Sequence, residues 1–156
     1  MGMFAAEIHD TAARIAAFES ALATALPTRT VAAGFAPSGN RTQAELQAGV
    51  VNVVLSYEDD YGRGLGRTAQ GQATRVDLIC HLQASTPAGC DQSTQSAAVR
   101  AAELALLAEI KAFCRSNPVP GLEVLLRETQ FSRQLEAPMG WLVASIDLLP
   151  PVAATH

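Results

Sequence analysis

The side chains with the most chemical potential crowd one stretch, Tyr57-Glu58-Asp59-Asp60-Tyr61, followed at once by Gly62-Arg63-Gly64-Leu65-Gly66-Arg67. Three adjacent carboxylates point first to divalent cations. A calcium loop, however, sets its oxygen ligands at alternating positions and closes on a bidentate Glu, which this run does not do. The glycines point to a phosphate cradle. A dinucleotide fingerprint needs its third glycine three residues after the second, with a helix opening there to present its N-terminus. Here the third glycine comes two residues on, the next element reads as a strand, and no Gly-Lys-Ser or Gly-Lys-Thr follows. No nucleotide, metal or other cofactor is expected. The carboxylates read as a solvated loop end or as partners for an arginine across an interface.

The remaining reactive residues are scattered. Cys80 and His81 are neighbours, but on a strand adjacent side chains point to opposite faces, so they do not share one metal ion. His9 lies among charged residues of the first helix, and His156 is the last residue. Cys80, Cys90 and Cys114 are odd in number and form no CxxC pair, which favours a reduced protein over a disulfide framework. No Gly-x-Ser-x-Gly elbow presents a nucleophile. The chain is therefore not expected to be an enzyme. Trp141, the only tryptophan, reads as a packing anchor or as the seed of an oligomer interface.

The elements that position these residues follow from composition and period. The 156 residues are 49% hydrophobic and 17% charged, which excludes a disordered chain and suits one domain, residues 1–156. A net charge of −4, with ten arginines and one lysine spread along the chain, argues against a nucleic-acid binder held by a basic surface. Glu7, Asp10, Arg14 and Glu19 interrupt the N-terminal apolar residues, so neither a signal peptide nor a membrane span is expected.

Ile8, Ile15, Phe18, Leu22 and Leu26 recur at helical spacing from Phe4 to Leu26, with Glu7, Asp10, Arg14 and Glu19 largely on other faces. Thr30 to Ala33 is a short strand and Gly34 to Asn40 a loop. Gly49 to Tyr57 is a valine-rich strand covered on both faces. Glu58 to Thr74 is a seventeen-residue polar loop, a length that is usually functional or mobile. Arg75 to Leu82 alternates as a strand. Ser93 to Arg115 is a helix with Val99, Ala102, Leu106, Ile110 and Phe113 on one face, widened by Leu104 and Leu107. Asn117-Pro118-Val119-Pro120-Gly121 ends it. Leu122 to Phe131 and Trp141 to Leu149 are the last strands, joined by a hairpin loop from Ser132 to Gly140, and residues 150–156 are expected to fray. The order α-β-β-β-α-β-β predicts an α+β fold, a mainly antiparallel or mixed sheet with two helices packed on it.

In this order of elements the chain resembles a family. The leading amphipathic helix, the strand VVNVVLSY running into a long polar loop, the strand RVDLICHL, the long helix, the break NPVPGLEV and the late strand GWLVASIDL are similar to the tail-terminator, or tail-completion, proteins of long-tailed bacteriophages and prophages, Mu-like elements included. The resemblance covers residues 4–149 and lies in element order and loop placement. It implies a structural virion protein of the tail and neck, made in the bacterial host cytoplasm. Such proteins form a homo-oligomeric ring, usually of about six copies, that caps the tail tube, ends its polymerisation and provides the surface on which the head-completion or connector protein docks. The genome would pass through the lumen without specific binding, and a negative lumen would ease that passage. The expected subunit or tube contacts are Tyr57, Glu58, Asp59, Asp60, Tyr61, Arg63, Arg67 and Trp141, with Phe35 to Asn40 and the sheet edges as further candidates. Deleting Gly62 to Gly71 is expected to leave a folded monomer that cannot assemble. The alternatives are another head–tail joining protein of the neck, or a small-molecule-binding α+β domain with its pocket under the long loop.

Overall fold

A computed structural model describes residues 10–60 and 72–151. Helix α1 (Thr11–Ala25) starts where the Asp10 carboxylate accepts the Ala13 N–H at 2.9 Å. Strand β1 (Thr30–Ala33), a 3₁₀ turn (Ser38–Asn40) and helix α2 (Gln43–Ala48) lead into the hairpin of β2 (Val50–Asp60) and β3 (Gln72–Gln83). Helix α3 (Gln92–Arg115), capped by Asp91, then precedes the antiparallel pair β4 (Glu123–Phe131) and β5 (Met139–Leu149). The five strands form one sheet in the order β1-β2-β3-β5-β4. Only β1 and β2 are parallel; the other three pairings are antiparallel. The fold is α+β with a mixed sheet, as the order of elements predicts.

Alternation along the strands divides the sheet into two faces. Val51 and Val53 of β2, Val76, Leu78 and Cys80 of β3, and Leu142, Ala144, Ile146 and Leu148 of β5 join one core with Phe18 and Leu22 of α1 and Leu106 and Ile110 of α3. The two helices meet through Phe18 and Phe113, edge to face with ring centroids 5.5 Å apart. On the other face, α2 and the turn before it cover the end of the sheet nearest β1. There Arg41 Nη2 donates to Asn52 Oδ1 at 3.3 Å, and Asn52 Nδ2 donates to the Ile79 carbonyl at 2.8 Å, so the buried amide in the valine run is paired.

Several expectations need correction. The described residues hold three α-helices rather than two. Helix α2 holds a single buried apolar residue, Leu46, too little for a period to show. Its start was nonetheless written in the Thr42-x-x-Glu45 capping box, in which each side chain accepts the other residue's backbone N–H at about 3 Å. Helix α1 begins after Asp10, while Phe4 to His9 lie outside the described residues. Glu58, Asp59 and Asp60 are strand rather than loop, as are Gln72, Ala73 and Thr74. Backbone pairing carries the hairpin past the point where apolar alternation stops, because a two-stranded ladder needs its hydrogen bonds and not a buried face on each residue. Arg14 lies inside the core rather than on a solvated face, and Leu104 is half exposed rather than part of the buried stripe. Met139 and Gly140 belong to β5 rather than to the hairpin loop.

Candidate functional site

The β2–β3 hairpin projects as an arm. β1 pairs only with Val50 to Val53, so from Val54 to Asp60 the outer edge of β2 has no strand partner among the described residues. The last β3–β5 pair is Thr74 with Leu148, whereas β2 and β3 stay paired out to Asp60 and Gln72. A register shift between Leu55 and Tyr57 marks a bulge at Ser56. Its consequence is chemical. Leu55 stands opposite Val76 and Glu58 opposite Thr74, both on the helix side of the sheet, while Tyr57 stands opposite Arg75 on the other side. Leu55 and Tyr57 are 50% and 49% exposed, unusual for residues of this size on an edge that protein normally guards.

The arm's base is rigidly tied. Thr11 Oγ1 donates to Glu58 Oε2 at 2.6 Å, joining the start of α1 to the arm. Arg14 Nη1 donates to Thr74 Oγ1 at 3.2 Å beneath it. The Arg75 guanidinium stacks over the Tyr57 ring at 5.6 Å and donates to Asp147 Oδ1 at 2.7 Å, while Arg127 Nε donates to Asp147 Oδ2 at 2.6 Å. Burial is the largest single influence on the Asp147 carboxyl and raises its pKa. The hydrogen bonds and charges of Arg75 and Arg127 together outweigh it and hold the group below the ordinary aspartate value.

The expected contact residues separate into two groups. Tyr57 and Glu58 share the arm, whose strand also carries Asp59 and Asp60; Tyr61, Arg63 and Arg67 lie outside the described residues. Trp141 pairs with His81, six residues along β3 from Arg75, which at strand spacing is about 20 Å from Tyr57. Trp141 therefore belongs to the far end of the sheet, where it lines a shallow pocket with Phe131, Arg133 and Leu135. Phe35, 54% exposed, packs its ring 5.7 Å from that of His81 and is not part of the arm either.

That far end holds a centre that pattern reading missed. Glu103 of α3 is fully buried. Its carboxylate accepts the Ser132 hydroxyl in a short hydrogen bond, the Trp141 backbone N–H at 3.0 Å and the Gln134 side-chain amide at 3.4 Å. Ser132 Oγ in turn accepts the Gln134 N–H at 3.1 Å. This network pins the β4–β5 connection, in which Arg133 and Gln134 both take left-handed backbone conformations, with φ of 61° and 59°. The signal was available: Glu103 stands four residues after Val99 and three before Leu106, inside the apolar stripe, where a carboxylate must find partners. Held this way, Leu135 is 80% exposed and Arg133 points outward beside a pocket of about 420 Å³ that Arg100, Leu104 and Phe131 also line.

Among the described residues no group of three or more His, Cys, Asp or Glu side chains could hold a metal ion, and Cys80 and His81 fall on opposite faces as alternation requires. Burial pushes the Cys80 thiol up to about 12, so it stays protonated. No described helix is long and apolar enough to cross a membrane. What the site offers is two exposed, structurally braced surfaces rather than a converging set of reactive groups. Compared with models of known protein families and with curated proteins, the sequence matches none.

Proposed function

We propose that the chain is a structural protein of the tail-terminator kind, which assembles as a ring on the end of a phage tail tube, stops tube growth and offers the docking surface for the head. The observation that carries this reading is the arm: a braced hairpin with an unpaired strand edge along which Leu55 and Tyr57 are half exposed. A lone folded chain gains nothing from exposing large apolar groups along an open edge, whereas an assembling one uses both for subunit contact. The resemblance in element order supplies the kind of assembly. On this reading the protein works in the virion neck, with copies of itself, the tail tube and the head-completion protein as partners, and DNA passing through its lumen.

The test is binding to tail tubes. Polymerised tubes incubated with the chain should carry a ring at one end and fail to elongate when fresh tube subunits are added. Tubes that grow at an unchanged rate, with no added density at their ends, would reject the reading.

A further inference from the structure

We infer that the assembly contact is head to tail: the Leu55–Glu58 face of the arm of one copy docks on the Arg100, Leu104, Arg133 corner of the next. This deepens the ring reading above and rests on it for the number of copies. The two surfaces cannot meet within one chain. The arm lies at the end of the sheet where Thr74 pairs with Leu148, on the β2 side. The corner lies past the opposite end, where Phe131 pairs with Leu142, on the β4 side. They occupy diagonally opposite corners, about 20 Å apart along the strands and three strand spacings apart across the sheet.

Their chemistry is complementary. The bulge at Ser56 puts an apolar group, Leu55, and an acid, Glu58, on the same side of the arm. The corner presents a pocket lined by Leu104 and Phe131 between two exposed arginines, Arg100 and Arg133, neither of which forms an ion pair with any described residue. Leu55 would fill the pocket while Glu58 meets the guanidinium groups at its rim, an arrangement that gives register and specificity together. Both surfaces are held ready: Glu58 by Thr11, and the corner by the Glu103 network and two consecutive left-handed residues. Non-glycine residues kept in such conformations by buried polar anchors are characteristic of binding surfaces. A two-fold contact would join arm to corner twice between the same two copies and end at a dimer. On the ring reading the arm-to-corner contact instead repeats head to tail, a geometry that closes into a ring where the rotation between copies allows.

The experiment is a charge exchange in the full chain. Glu58→Arg should abolish self-association, and so should the pair Arg100→Glu with Arg133→Glu, each weakening it about tenfold or more. An equimolar mixture of the two variants should associate again, because copies then alternate and each arm finds an opposite charge. All three altered positions are exposed, so unchanged melting curves check that folding is intact. Self-association that survives in either variant, or a mixture that stays dissociated, overturns the contact, and so does a wild-type chain that remains monomeric to its solubility limit. A ring that persists in the variants rejects this contact and leaves the terminator reading standing. Rescue by the mixture, with no effect on tail tubes, does the reverse.

Discussion

The Glu103 carboxylate crosses from α3 to accept the backbone N–H of Trp141 at 3.0 Å, so the start of the last strand is fastened to the middle of the longest helix. The same carboxylate holds Ser132 and Gln134, which makes one buried acid responsible for the shape of the whole β4–β5 connection. Replacing it by alanine leaves the Trp141 N–H and the Ser132 hydroxyl buried without an acceptor. Glu103→Ala should cost roughly 2–4 kcal/mol in urea unfolding, and Glu103→Gln distinctly less, since its carbonyl can still accept one of them.

Gly140 gives a steric test of the same junction. A Cβ there would lie 2.6 Å from Val99 Cγ1, 2.8 Å from Glu103 Oε2 and 3.0 Å from Leu82 Cδ1. Gly140→Ala should destabilise by about 1–3 kcal/mol through overpacking. Gly39→Ala, where nothing lies within 4 Å, should change the unfolding midpoint little.

His81 makes stability fall on mild acidification. Its Nε2 is buried with no hydrogen-bond partner among the described residues, and burial first, then the nearby Arg41 charge, lowers its pKa. The unfolded chain therefore binds the proton more readily, and stability falls as pH drops from about 6.5 through the lower folded value. In His81→Phe, which keeps a ring beside Phe35, denaturation midpoints measured across that window should flatten.

Asp147 acts at lower pH and in the same sense. Its depressed pKa means its contribution is complete above the ordinary aspartate value and is lost as pH falls through the folded one. Asp147→Asn should be less stable than wild type at neutral pH and lose less on acidification, which paired melting curves at neutral and acid pH would register.

Strands and helices with a clean period were legible. Val76, Leu78, Cys80 and Leu82 announce β3 by alternation and are all buried, and Asn117-Pro118 ends α3 within two residues of its last turn. What escaped was the polar inside and the polar outside. Arg14 and Glu103 sit in apolar stripes because partners distant in sequence, Thr74 of β3 and Ser132 of the β4–β5 connection, hydrogen-bond them, and no local pattern encodes such partners. Glu58 is in a strand because the chain across from it pairs, not because its own side chain favours one. The arm's outer residues read as part of a polar loop, and the corner beside Leu104 and Leu135 existed only once α3 and the β4–β5 connection were brought together.

The most direct test of the account is the solution mass of the purified chain by light scattering, with negative-stain images of whatever assembles, alone and on tail tubes. The account predicts a closed ring with a central hole, about six times the 16.4 kDa chain mass, seated on tube ends. A chain that stays at its monomer mass and leaves tubes bare would contradict it.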